Sequence, residues 1–208
     1  MHDEPEAPTP PTQKGRERRQ QIVDAAADLI FDRGVAEVSL DDIRDATGVS
    51  KSQLYHYFSD KSDLLRAVIE CQRERVLSTH RPTFESLVSW DDLQRWRDMI
   101  VTHQAERSCR SGCPLGSLAN GLAELDDAAR LQLRDAFSRW GRIIADGLTR
   151  MVESEVLRVD TDPQELAVSV LASLQGGLLM AETARDTRPL EIALDSAIAH
   201  VKSFRALN

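Results

Sequence analysis

Three residues, Gly48-Val49-Ser50, constrain this chain most, because they separate two short helical stretches by a turn that few other sequences can make. Ser39 ahead of Leu40-Asp41-Asp42-Ile43 reads as an N-cap with carboxylates in the first turn, where they complement the helix dipole. The first stretch is therefore expected from Leu40 to Ala46 or Thr47. Gly48 supplies a positive φ, Val49 an apolar plug between the helices, and Ser50 the cap of a second helix carrying Lys51 to Phe58. A short helix, a Gly-containing turn and a second short helix make a helix-turn-helix, whose second helix enters the major groove of DNA.

The flanking residues complete a helical head. Ile22, Ala25, Ala26, Leu29 and Ile30 recur at helical spacing ahead of Gly34, which predicts a helix over 16–33 ended by a glycine in the left-handed conformation. Ser59 or Asp60 caps a longer helix with Leu64, Leu65, Val68 and Ile69 on one face. Beyond residue 80 the apolar spacing stays helical, through Trp96 and Ile100, Leu115 and Leu118, then Leu133, Phe137, Trp140 and Ile144. No strand pattern or repeat emerges, so the expected fold is all-α. Residues 1–13 hold four prolines and no core former and read as a disordered tail. The helix-turn-helix head then takes 14–61 and a larger helical region 62–208.

Net charge is -8, which disfavours a protein that coats nucleic acid without specificity, since that affinity comes mainly from Lys and Arg neutralising phosphates. The local balance is different. No carboxylate lies between Ala46 and Ser59, and Lys51, His56 and then Lys61 punctuate that window, as a phosphate-facing surface requires. Arg16, Arg18 and Arg19 read either as a solvated basic face or as a phosphate-binding arm. Three cysteines, with no signal-like apolar run at the start and no continuous apolar stretch of about 18 to 20 residues, point to a soluble, cytoplasmic protein with reduced thiols and no membrane partner.

The segment VSLDDIRDATGVSKSQLYHYFSDKSDLL, residues 38–65, closely resembles the DNA-binding head of the TetR/AcrR repressors, with every fixed element of the pattern GVSxxxLYxYFxxKxxLL. A second stretch, Gly112-Cys113-Pro114-Leu115-Gly116-Ser117-Leu118-Ala119, resembles the GCxxGxLA signature of the LmrA/YxaF-like branch. The resemblance implies a homodimeric repressor on palindromic double-stranded DNA, released by a small-molecule effector and needing no cofactor. Lys51, Ser52 and Gln53 open the recognition helix, and Gln53 is the expected base reader because a carboxamide pairs bidentately with adenine. Tyr55 and His56 follow as contacts to phosphates or thymine methyls, while Ser39 and Lys61 suit the DNA backbone. Leu54, Tyr57 and Phe58 are expected to face the head's own core.

For the effector, Trp96, Met99, His103, Cys109, Cys113, Phe137, Trp140 and Gln175 are the expected pocket residues, aromatic or soft side chains joined by a few that orient a polar group. Pro114 leaves Cys113 at a helix N-cap, where the dipole favours a thiolate. Cys109 and Cys113 then read either as an electrophile or redox sensor or as small hydrophobes in a core. With His103 they form a poor zinc signature, and no metal is expected. A cysteine-dependent enzyme is the rival class, but nothing in the sequence positions an oxyanion hole or orients His103.

Pro163 after Asp162 predicts a mostly apolar helix from Leu166 to Ala184, followed by a last helix over Leu190 to Leu207. Both are more apolar than one buried stripe needs. The surplus is assigned to a dimer interface through Val170, Leu174, Leu178, Ala197 and Val201, in a four-helix bundle about a two-fold axis.

Overall fold

The computed structural model describes residues 12–110 and 112–206, and among them there are nine α-helices and no strand. The expected tail lies outside the described residues except for Thr12 and Gln13. These open the first helix, α1 (Gln13–Arg33), where the Thr12 side chain accepts from the Gly15 N–H. Gly34 ends α1 at φ 89° with its N–H on the Ile30 carbonyl. Its ψ of 152° lies outside the left-handed helical well, yet the positive φ still favours glycine.

The short helices form where the caps predict. Helix α2 (Leu40–Thr47) begins at Ser39, whose hydroxyl accepts from the Asp42 N–H at 3.1 Å while the Asp42 carboxylate accepts from the Ser39 N–H at 2.9 Å. Both orphan donors are thus satisfied reciprocally. Gly48 takes the left-handed conformation, φ 66°, and α3 (Lys51–Tyr57) starts at Ser50 with a second such box. Val49, Ile43, Leu54 and Phe58 close the head's core against Ile22, Ala26 and Ile30 of α1.

Helix α4 (Lys61–Glu85) starts in the head and runs the length of the molecule, so the expected division at residues 61 and 62 falls at its first turn. It packs on both α1 and α7 (Asp127–Glu153), with Gln72 and Arg75 hydrogen-bonded to α1 and the Arg66 and Phe84 carbonyls to side chains of α7. The buried apolar side chains form one continuous core from the head into the larger helical region. Helices α5 (Trp90–Glu106) and α6 (Pro114–Leu122) cover one end of this core, and α8 (Pro163–Ala184) and α9 (Arg188–Lys202) pair closely against α7 and α5. Helix α9 stops five residues short of its expected end. The chain turns there, Arg158 lies over the Phe204 ring, and Leu157 bridges Arg205.

Helix α8 is long and apolar enough to cross a bilayer by length and composition, although the sequence has no unbroken apolar run of that length. Its buried stripe is Leu166, Ala167, Val170, Leu174, Gly177, Leu178 and Ala181. Three of the five residues expected at a dimer interface, Val170, Leu174 and Leu178, lie in that stripe, and Ala197 and Val201 lie in the equivalent stripe of α9. All five are between 0% and 6% exposed within a single subunit. They cannot also meet a partner. The small and apolar positions left on the outside include Val168, Ala172, Gly176, Leu179 and Met180 of α8, with Ile192 of α9.

Candidate nucleic-acid interface and ligand cavity

The recognition helix α3 turns Leu54 inward and leaves Lys51, Ser52, Gln53, Tyr55 and His56 exposed, with Tyr57 half-buried. Ser39, Lys51 and Tyr55 meet in one surface recess with Leu40, Asp41, Arg44 and Leu54. The acids nearby are engaged: Asp41 and Asp45 pair with Arg44, and Asp42 accepts from Ser39. Hydrogen bonds from the Ser39 side chain and backbone hold the Asp42 carboxyl below its usual range. Helix α3 itself carries Lys51 and no carboxylate, while the acids of α2, the ionised Asp42 among them, lie beside it.

Two expected contacts have additional duties. The Gln53 carboxamide oxygen accepts from the Ser50 N–H at 2.9 Å, completing the α3 cap, so one lone pair of that oxygen and the amide N–H groups are left for a base. The Lys61 ammonium donates to the Val38 carbonyl at 2.7 Å and ties α4 to the segment before α2. Of the basic residues on α1, Arg18 donates to the Thr47 carbonyl at 3.0 Å, and the Arg19 guanidinium lies 4.8 Å from the Phe58 ring centroid. Those two hold the head together.

Between the head and the far end of the bundle lies a cavity of about 240 Å³. Phe31 of α1 reaches it from the head side. Helix α4 contributes Gln72, Arg75, Val76, Thr79 and His80, and α5 contributes Met99, Ile100, His103 and Gln104. Gly112, Cys113 and Pro114 at the start of α6, Trp140 of α7, and Leu174 and Leu178 of α8 complete the wall.

Of the expected pocket residues, Met99, His103, Cys113 and Trp140 are brought together here. Trp96 lies behind the wall, donating to Nδ1 of His80 at 3.1 Å and packing edge-on to Phe84. Cys109 sits buried in the loop after α5, outside the lining, and its carbonyl accepts from Arg185 at 3.0 Å. Phe137 and Gln175 line a groove between α7 and α8 on the outer side.

The residues the sequence reading missed are Gln72, His80 and Gln104, each buried and polar. A signal was available. Val68, Gln72, Val76, His80 and Phe84 form one i, i+4 row on α4, and Gln104 follows Ile100 at the same spacing on α5, so polar groups interrupt otherwise apolar stripes. Burial lowers the His80 imidazole to about 4, helped by the nearby His103, so it is neutral.

Cys113 does cap α6, its Sγ accepting from the Gly116 N–H at 3.4 Å. The expected thiolate does not follow. Burial raises the thiol above its ordinary value despite that hydrogen bond, because desolvation of the charged form outweighs one helix terminus. Cys109 is raised as well, by burial and then by Asp186, and all three cysteines are free. Among the described residues no group of three or more His, Cys, Asp or Glu side chains is arranged to hold a metal.

A helix-turn-helix head joined by a continuous helix to a larger helical region is the architecture of a DNA-binding transcriptional regulator. Residues 22–68 match the bacterial regulatory proteins of the tetR family, and residues 90–196 match the C-terminal domain of LmrA/YxaF-like transcriptional regulators. The chain belongs to the TetR family, in its LmrA/YxaF-like branch.

It is 29% identical over 185 residues to an HTH-type transcriptional regulator in the lacX 3' region of Lactococcus lactis, covering 86% of this chain and 91% of that one. The HTH-type transcriptional repressor DhaR of a Mycobacterium strain is 26% identical, over 83% of this chain and 86% of its own. A regulatory protein TetR from Rhodobacter sphaeroides superposes with a TM-score of 0.78 at 26% identity, covering 88% of this chain and 98% of that one. A TetR-family regulator from Cytophaga hutchinsonii has the same fold, with a TM-score of 0.81 at 20% identity over 96% of this chain and all of the other.

Proposed function

We propose that the chain is a homodimeric repressor that binds a palindromic operator through α3 and releases it when a small molecule fills the cavity. The observation that carries this reading is the double use of α1 and α4. Each helix contributes both to the head's core and to the cavity wall, α1 through Phe31 next to the core residue Ile30 and α4 through the row from Gln72 to His80. A ligand that repacks the wall thus acts on the two elements that orient the head.

Base reading belongs to Lys51, Ser52 and Gln53, with Tyr55, His56, Ser39 and Lys61 on the DNA backbone. A second copy covers the outer face of α8. Gly141 of α7 and Gly176 of α8 support that choice: both are helical, and a Cβ at either would meet nothing within 4 Å, so the subunit itself gives no packing reason for a residue that weakens helices. Such a pairing sets two recognition helices about 34 to 36 Å apart, to match successive major grooves. The effector acts by favouring an arrangement in which that spacing no longer fits.

Footprinting on DNA upstream of the protein's own gene, at moderate salt with random DNA as competitor, tests the reading. A protected palindrome supports it. No protection there, followed by no enrichment in selection from random DNA, overturns it.

A further inference from the structure

The polar groups of the cavity are arranged for a particular chemistry. Gln104 is 5% exposed, faces the cavity, and its carboxamide has no hydrogen-bond partner among the described residues. His80 is 6% exposed. Its Nδ1 accepts from the Trp96 indole at 3.1 Å, so the proton of the neutral ring sits on Nε2, for which no acceptor is present among the described residues. Gln72 donates its amide to the Ala27 carbonyl at 3.1 Å, and Thr79 donates its hydroxyl to the Arg75 carbonyl at 2.9 Å. The donors left free in this wall therefore include the Gln104 amide, His80 Nε2–H and Trp140 Nε1–H, the last fully buried and without a partner among the described residues. A buried donor without a partner, as Trp140 Nε1–H is, is rare in folded proteins and calls for an occupant, and the Gln104 and His80 donors face the same cavity.

Charge narrows the class further. No carboxylate contributes to the wall, so a cation finds no counterion there. Arg75, its one permanently charged member, is already paired with Asp28 at 2.6 Å and Asp24 at 3.0 Å, which leaves an anion little to gain. Apart from the His103 imidazole, which can donate or accept, the remaining surface is mainly apolar and aromatic, from Phe31, Val76, Met99, Trp140, Leu174 and Leu178. Size sets a last bound. An apolar cavity of about 150 Å³ accepts benzene, so one of about 240 Å³ accommodates about ten non-hydrogen atoms.

We infer that the cavity takes a neutral, mainly apolar carbonyl compound of about ten non-hydrogen atoms, its oxygen accepting from Gln104 and His80. This assignment rests on the reading of the cavity as the effector site, and binding can be measured apart from that reading.

The test uses five planar probes of matched size and shape: acetophenone, benzamide, α-methylstyrene, benzoate and benzamidinium. Each is titrated calorimetrically into the full-length protein without DNA. Acetophenone and benzamide are expected to bind about tenfold more tightly than the hydrocarbon α-methylstyrene, with the two ions weaker still. Gln104→Met, which keeps the side chain's length, should erase the preference for ketone over hydrocarbon. His80→Asn, which retains an acceptor for Trp96 and loses the Nε2 donor, should reduce it.

Tighter binding of benzoate or benzamidinium, equal binding of ketone and hydrocarbon, or no binding of any probe overturns the assignment. The expected rank order without any effect of acetophenone on operator binding leaves the ligand class standing and removes the cavity's role in release.

Discussion

Trp96 donates its indole proton to Nδ1 of His80 across 3.1 Å, and this bond fixes which ring nitrogen of His80 is left to face the cavity. It also makes His80 unable to take up a second proton without breaking the contact, in a site where burial already disfavours the charge.

A pH dependence follows with a definite sign. The folded imidazole titrates near 4, whereas the ordinary value is 6.5. Above 6.5 both folded and unfolded chains carry a neutral ring and His80 adds no pH dependence. As pH falls from 6.5 towards 4, only the unfolded chain binds the proton, and stability declines by up to roughly 3 kcal/mol before levelling off. Urea unfolding across that window should show this decline in the wild type and a flatter profile in His80→Asn. Parallel profiles would mean that His80 is not the group responsible.

Gln53 serves the fold and, in the proposed function, the DNA, and the two roles separate by substitution. Gln53→Glu keeps an acceptor for the Ser50 N–H and so should leave thermal stability nearly unchanged, while removing the amide donor needed for an adenine. Operator preference should fall by about 1 to 3 kcal/mol at one base pair. Lys61→Ala, by contrast, should weaken all sequences alike and lower the salt slope by about one unit. Equal losses on operator and random DNA for Gln53→Glu would remove it as a base reader.

How far such roles were legible beforehand depended on whether one force dominated. At Ser39, Gly48 and Ser50 the capping chemistry acts alone over a few residues, so the short helices were readable almost to the residue. At α8 the apolar character runs nearly all round, and periodicity alone could not say which stripe faces α7 and α9 of the same chain. Leu174 and Val201 were assigned outward for that reason. Cys113 shows two opposed forces: its position at the α6 cap was evident, but the burial that raises the thiol depends on α8 and was not. His80 and Gln104 were passed over because their meaning lies in a break in an apolar row.

The corrected outer face of α8 yields a paired test. Val168 and Leu179 are 67% and 56% exposed in the subunit. Val168→Lys with Leu179→Lys should therefore convert the proposed dimer to a monomer in sedimentation while leaving helix content intact. Leu174→Ala should do the reverse, losing about 2 to 5 kcal/mol of stability through the cavity it leaves in the subunit's own core. A dimer that survives both lysines would place the interface elsewhere.

The thiols should behave as structural groups at neutral pH. Cys71 is pushed up to about 11 by burial and by its hydrogen bond to Asp24, and burial raises Cys109 and Cys113 too. Alkylation by iodoacetamide is expected to be slow for all three in the native protein and to approach the rate of a free thiol after denaturation. Rapid native labelling of Cys113 would restore the electrophile-sensing reading.

Gly121, near the end of α6, touches the head directly. A Cβ built there would come within 2.3 Å of Cγ1 of Val35, in the segment between α1 and α2, so the missing side chain is what lets α6 and the head meet. Alanine at this position gains about 1 kcal/mol of helix propensity but overpacks the contact by about 1 to 3 kcal/mol. The net expectation for Gly121→Ala is thus a modest loss of stability. In a Val35→Ala background the clash is gone and only the propensity gain remains, so the same substitution should stabilise the protein. The change of sign across this double-mutant cycle isolates the contact from the helix itself. Additive effects would show that the two regions do not press on each other at this point.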